Sequence, residues 1–323
     1  MEKESKIYIA GHRGMVGSAI VRKFKEAGYT NLIVRSRGEL DLMNQHAVQT
    51  FMNAERPDYV IVAAAKVGGI YANNTYPAQF LYENIQIETH LIHHAYISGV
   101  KKLIFLGSSC IYPQLCPQPM KEEYLLTGPL EPTNEAYAIA KIAGIKMCEN
   151  YYHQYGANFM SIMPSNLYGI GDNFHLMDSH VLPALIRKFH EAKYNHQPFV
   201  TLWGTGIALR EFLYVDDIAD ATLFIMNNIS AENLYNEGIS HINVGSGKDI
   251  SIADLALLIK QIVGFEGEIK YDSSQPDGMP IKRLDISRLS QLGWKSQTEL
   301  KEGIQKTYQW FCNQLEFENN IRL

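Results

Sequence analysis

The chain has 323 residues, 46% of them hydrophobic, with a formal net charge of −5 and four cysteines. That length suits one large α/β domain with a smaller lobe, and the acidic balance gives no global field for nucleic acid or an anionic membrane. No cysteine pair has C-x-x-C spacing, no apolar run reaches the roughly 20 residues of a membrane helix, and the charged residues 1–6 lack a signal-peptide core, so a reduced, soluble, cytoplasmic protein without a metal site is expected.

Residues 6–10 are predicted as a strand, 15–27 as a helix, 31–35 as a second strand, 41–55 as a helix and 59–64 as an apolar strand. A long helix over 77–99, a strand over 102–106, a helix over 137–155 and a strand over 159–164 follow. Strands alternating with helices, each strand apolar throughout, predict a doubly wound parallel sheet of the Rossmann type, with ligands at the carboxyl ends of its strands. Beyond Pro164 the pattern loosens. Loops are expected over 165–173 and 275–280, helices over 180–193, 216–228, 252–263 and 300–314, and short strands over 211–215 and 241–244. The expected organisation is a Rossmann domain over 1–165 and a smaller mixed α/β substrate lobe over 166–323, with a segment of about 211–245 returning to the first domain.

Gly11, Gly14 and Gly17 lie between the first strand and the first helix. Glycine permits a tight turn and close approach of backbone to a pyrophosphate, and the helix that follows directs free N–H groups at it. The spacing is G-x-x-G-x-x-G rather than G-x-G-x-x-G, so the position after the first strand carries much of the argument. The second strand ends in Val34-Arg35-Ser36-Arg37, without the carboxylate that holds an NAD ribose. Guanidinium groups suit a 2′-phosphate, which favours NADP (NADPH), with Arg37 as its partner and Arg13 as a second such group; the alternative is that Arg35 and Arg37 simply face solvent.

Tyr137 and Lys141 form Y-x-x-x-K, which puts phenol and ammonium on one helix face. A neighbouring cation makes tyrosine usable as an acid or base near neutral pH. Ser108 follows Gly107 at the end of a predicted strand, where a hydroxyl can bond a substrate carbonyl. Taken alone, Cys110 reads as a small buried hydrophobe, His180 as a helix cap and Trp203 as core packing.

The glycine turn, the serine and Y-x-x-x-K, in this order, resemble the extended short-chain dehydrogenase/reductase superfamily. The segments GHRGMVGSAI, AAAKVGGI, ANNTYPA, GSSCIYP, EPTNEAYAIAKIAGIK, NLYG, DNF, SHVLPALIRKFHEA, REFLYVDD, INVGSG and QPDG resemble the GDP-L-fucose synthase family, from about residue 7 to 310. The resemblance implies NADPH-dependent conversion of GDP-4-keto-6-deoxy-D-mannose to GDP-L-fucose, by epimerisation at C3 and C5 and then reduction at C4, in a homodimer. It implies Ser108, Tyr137 and Lys141 as the reductive set, and Cys110 as base with His180 as acid for epimerisation. It further implies cofactor contacts at Gly11, Arg13, Gly14, Met15, Val16, Gly17, Arg37, Ala63, Ala64, Leu106, Gly107, Pro164, Asn166 and Leu167, joined by Tyr137, Lys141 and His180. Lys188, Trp203, Arg210 and Asp277 match the substrate-contacting positions. Ser165 stands where threonine is common in the family, and Ile170-Gly171 departs from its proline-containing loop. Another sugar-nucleotide epimerase, or a 4,6-dehydratase with tightly held NAD, is an alternative, but Arg37 argues against NAD and dehydratases carry Asp-Glu where Ser109-Cys110 stands here. A non-catalytic NADP-binding regulator on the same fold is the other; such proteins often lose the tyrosine or lysine, and both are present.

Overall fold

The computed structural model describes residues 1–176, 178–275 and 277–316. In chain order the first half runs β1 (Ile7–Ala10), α1 (Met15–Glu26), β2 (Leu32–Ile33), α2 (Gln45–Glu55), β3 (Tyr59–Val62), α3 (Ile70–Thr75), α4 (Pro77–Ile97), β4 (Lys102–Leu106), α5 (Glu135–Tyr155) and β5 (Phe159–Pro164). The second half runs β6 (Asn166–Tyr168), α6 (Val181–Tyr194), β7 (Phe199–Trp203), β8 (Leu209–Tyr214), α7 (Val215–Asn228), α8 (Ala231–Tyr235), β9 (Ile242–Val244), β10 (Asp249–Ser251), α9 (Ile252–Val263), β11 (Glu268–Asp272), β12 (Ile281–Lys282), α10 (Ser287–Gln291) and α11 (Leu300–Glu316).

The main sheet has the order β2-β1-β3-β4-β5-β9, and every pairing in it is parallel. Its strands are buried on both faces, which is why they read as continuous apolar runs rather than alternating ones. Ile7 and Ile9 point into one core with α1, α6 and α7, while Tyr8 and Ala10 point into the other with α2, α4 and α5. The strand order reverses at β1 and β3, and a doubly wound sheet opens a crevice at that point. β9 pairs with β5, whereas β8 lies in a separate sheet with β6, β10 and β12. β7 and β11 form a two-stranded parallel ribbon.

Three expectations are corrected. The second strand spans only Leu32–Ile33, because the Arg35 guanidinium donates to the Val34 carbonyl and to Glu55, and the chain then turns through Ser36. The second helix begins at Gln45, where Asn44 caps it by accepting from the Ala47 amide, rather than at residue 41. The loop expected over 165–173 contains β6, which pairs in parallel with Phe212–Tyr214. Within the expected loop at 275–280, Pro276 lies outside the described residues. No helix among the described residues is long and apolar enough to cross a membrane.

Candidate active site

The cofactor side is built by sterics first. Gly11 has φ +88°, and a Cβ there would sit 2.7 Å from the Ala64 nitrogen and 2.8 Å from the Ala63 carbonyl. A Cβ on Gly17 would lie 2.1 Å from the Gly11 oxygen. Only glycine allows the turn to close against the end of β3, and the Gly14 amide completes it by donating to the Gly11 carbonyl at 2.9 Å. α1 then starts at Met15 and Val16 with no side-chain cap and no acidic residue in its first turn. Its first N–H groups therefore remain available to an anion, which fits a pyrophosphate. Ala63, Ala64, Leu106, Gly107, Pro164, Asn166 and Leu167 all lie at or just past the carboxyl ends of β3, β4, β5 and in β6, along the same crevice edge.

Arginines are sorted by their partners. Arg35 is held by Glu55 at 2.6 Å, while Arg13 and Arg37 form no ion pair among the described residues. The charge of Arg13 reaches Glu39, so the glycine turn faces the Ser36–Glu39 turn that carries Arg37. Glu39 brings a carboxylate to this corner that the strand-end reading did not anticipate. Its Oε2 accepts from the Ser36 amide at 2.7 Å and the Ser36 hydroxyl at 2.6 Å, so it closes the turn. The two unpaired guanidiniums fit a 2′-phosphate.

Ser108, Tyr137 and Lys141, expected from sequence to carry reduction, lie where α5 meets β4. Lys141 is buried, with its Nζ donating to the Leu106 carbonyl at 3.1 Å and standing 4.6 Å from the Phe105 ring centroid. It also stands 5.7 Å from the Tyr137 ring centroid and 2.8 Å from Glu88 Oε1 on α4. Tyr137 is half-buried and packs edge-on to Phe80 at 6.2 Å. Burial pushes its phenol well above the usual tyrosine range, and the neighbouring Cys110 and Glu88 push it further. Ser108 caps the short 3₁₀ turn Ser109–Ile111, accepting from the Cys110 amide at 3.5 Å, and that turn packs on α5.

Cys110 is buried, and burial raises its thiol; Lys282 on β12 and the Ser108 hydroxyl pull it back down. His180 caps α6 at the mouth of the cleft, exposed to solvent yet closely surrounded by protein. Burial lowers its imidazole, and the charge of Lys282 lowers it again. The loop that carries His180 is pinned to the segment after β3 by the Gly69 amide, which donates to the Asp178 carbonyl at 2.8 Å. A Cβ on Gly69 would meet the Ser179 carbonyl at 2.9 Å.

Lys188, Trp203, Arg210 and Asp277 also converge. Lys188 Nζ stands 5.6 Å from the Trp203 ring centroid, and Trp203 is 55% exposed on β7, so it serves as an open face rather than as core. The Asp277 carboxylate accepts from the Thr205 amide at 2.7 Å and the Thr205 hydroxyl at 2.8 Å. Arg210 donates to the Leu209, Met279 and Asp277 carbonyls. In this structure the last two residues fasten the 277–279 loop to β8 and to the turn after β7.

Two residues of the cleft were missed from sequence. Lys282 lies in a two-residue strand that only its pairing with Leu209–Arg210 defines. Glu88 had a visible signal: it is a lone acid on the stripe Asn84, Glu88, Leu91 and Ala95, all buried at helical spacing on α4. Gly144 on α5 was a second signal, since glycine inside a helix costs about 0.5–1 kcal/mol. A Cβ there would lie 2.5 Å from the Phe105 ring and 3.0 Å from Glu88 Oε2.

Residues 7–245 match the NAD dependent epimerase/dehydratase family. The chain is 56% identical to GDP-L-fucose synthase 1 of Arabidopsis thaliana, over 97% of this chain and 96% of that one. It is 54% identical to the GDP-L-fucose synthase of Escherichia coli K12, over 95% of this chain and 97% of that one. A solved structure of a GDP-L-fucose synthetase from Naegleria fowleri bound to NADP is similar with a TM-score of 0.89 at 28% identity, covering 100% of this chain and 98% of that one. The chain belongs to the GDP-L-fucose synthase family within the NAD dependent epimerase/dehydratase family.

Proposed function

We propose that this chain converts GDP-4-keto-6-deoxy-D-mannose to GDP-L-fucose, epimerising C3 and C5 and then reducing C4 in one cleft, with NADPH as reductant. The observation that carries the reading is that one ammonium, Lys282, acts on both Cys110 and His180, which come from opposite halves of the chain. Two proton-carrying groups within reach of one cation suit this chemistry, because inverting a carbon next to a ketone needs a proton removed on one face and delivered on the other.

In this reading Cys110 takes the proton from C3 or C5 as thiolate, and Lys282 stabilises that thiolate. His180 returns a proton to the opposite face. Ser108 and Tyr137 donate hydrogen bonds to the C4 oxygen, which carries the enolate charge while the proton is off. In the second stage NADPH supplies a hydride to C4. Tyr137 then gives its phenolic proton to the C4 oxygen, and Lys141 holds the ribose beside the reacting carbon. Gly11, Gly14 and Gly17 with the start of α1 seat the pyrophosphate, and Arg13 and Arg37 take the 2′-phosphate. Lys188 and Arg210 balance the charge of the substrate diphosphate, and Trp203 offers a stacking face beside Asp277. A homodimer across α4 and α5 accompanies this reading, supported by the exposed Tyr82, Ile97, Ile139 and Tyr155 on those helices.

The test follows NADPH oxidation with GDP-4-keto-6-deoxy-D-mannose and identifies the product by NMR. GDP-L-fucose is the expected product. NADPH binding without turnover would remove this substrate and leave another keto-sugar nucleotide as the candidate.

A further inference from the structure

Glu88 has no part in the mechanism above, yet it occupies the floor of the site. Its side chain is 1% exposed and that of Lys141 2%, and Nζ and Oε1 are 2.8 Å apart. Neither carboxylate oxygen accepts a hydrogen bond of good geometry among the described residues, so the ammonium is held to Glu88 by charge alone. Burying an ion pair this dry is rarely a route to stability, because the loss of hydration offsets the attraction. The helices nevertheless make room for it: Gly144 lacks the Cβ that would crowd both Phe105 and Glu88 Oε2. Nζ has three N–H groups. The Leu106 carbonyl accepts one of them, and the Glu88 carboxylate faces the ammonium as an ion pair at 2.8 Å.

We propose, building on the fucose synthase reading, that Glu88 is a positioning residue that locks the Lys141 ammonium and neutralises it, so that Tyr137 enters reduction as a protonated donor. An unpaired ammonium beside a phenol favours the phenolate, which suits proton abstraction. A ketone reductase needs the opposite: the Tyr137 O–H bond breaks as the C4 O–H bond forms, and water reprotonates the phenolate before the next cycle. The titratable and charged groups around the pair are few. α5 presents Tyr137, Lys141 and Cys148, the turn after β4 presents Cys110, and Lys282 on β12 acts on Cys110 from beyond it. The charge of Glu88 acts on both Tyr137 and Cys148 and in the same direction, holding the proton on.

The experiment has two arms. In the ligand-free protein, phenolate absorbance near 295 nm is titrated for the wild type against Tyr137→Phe, which isolates the ionisation of Tyr137. The expected value lies above pH 10, and ionisation near pH 7 would overturn the proposal without any variant at Glu88. The second arm uses Glu88→Gln, which keeps the volume and removes the charge. With the Glu88 charge gone, the Tyr137 phenol loses a group that holds its proton on, so both the absorbance transition and the alkaline limb of NADPH oxidation move down by about one to two pH units. Lys141→Met takes away the cation that opposes the effect of burial on Glu88, so the carboxyl is held protonated there and adding Glu88→Gln should give no further shift. Unchanged profiles in Glu88→Gln, or an equal shift in the Lys141→Met background, would overturn it. Absence of turnover by the wild type would instead sink the fucose synthase reading, and the absorbance titration would still report on Glu88.

Discussion

The α4–α5 seam and the β8–β12 rim border the same cleft and treat charge in opposite ways. At the seam, Lys141 and Glu88 are dry and mutually neutralised, and Tyr137 is driven towards its protonated form. At the rim, Lys282, Lys188 and Arg210 have their cationic forms weakened by burial, and among the described residues no buried carboxylate is clamped to an ammonium there as at the seam. The seam suits a fixed proton donor. The rim suits groups that exchange protons and meet an anion, because an incoming diphosphate supplies the charge that the cations lack. One cleft can therefore offer an acid for reduction and an acid–base pair for epimerisation, with Cys110 between them: its thiol acts on the Tyr137 phenol, and Lys282 acts on it from the rim.

The largest effect that would break this division is at the seam. Tyr137→Phe removes the donor and should slow NADPH oxidation by about a thousandfold or more, within the range of general acid catalysis and lost oxyanion bonding combined. Near-normal turnover would leave Tyr137 without its role. In the turn after β4, between the seam and the rim, Cys110→Ser should cut the entry of solvent deuterium into C3 and C5 by about a hundredfold or more while NADPH still binds. Unchanged exchange in that variant would move the base elsewhere.

Arg37→Ala sharpens the cofactor side. It should weaken NADPH binding by about tenfold to a hundredfold, the worth of a charge-assisted bond to phosphate, and leave NADH nearly unaffected. Equal losses for both cofactors would mean that the 2′-phosphate is held elsewhere. The subtlest test is Lys282→Met. Its charge lowers both Cys110 and His180, so its removal raises both. Deuterium exchange rises with pH as the thiolate forms and falls as the imidazolium is lost, so both limbs should move to higher pH together, by about one unit. Limbs that move in opposite directions would show that the two groups do not share this cation.

Much of the cofactor side was legible because its determinants are local. Gly11, Gly14 and Gly17 announce a turn whose sterics the structure bears out atom by atom, and Tyr137 and Lys141 sit one helical turn apart. The second half was less legible because its strands are short and their partners distant. β6, β10 and β12 have two or three residues each and exist through pairing with β8. β7 did carry a readable signal, since Val200 and Leu202 are buried between exposed Phe199, Thr201 and Trp203 in strict alternation. Lys282 could not be found by spacing, as only register brings it beside Arg210. Glu88 could, through its place on a buried helical stripe, yet nothing in the chain named Lys141 as its partner.

The most direct test of the account is to run the reaction in D₂O with the wild-type protein, NADPH and GDP-4-keto-6-deoxy-D-mannose, and to locate deuterium in the product by NMR. One cleft that epimerises before it reduces predicts GDP-L-fucose with deuterium at both C3 and C5 and one NADPH consumed per product. NADPH consumption with no deuterium at either carbon would contradict it, leaving a simple ketone reductase in which Cys110 and His180 move no protons.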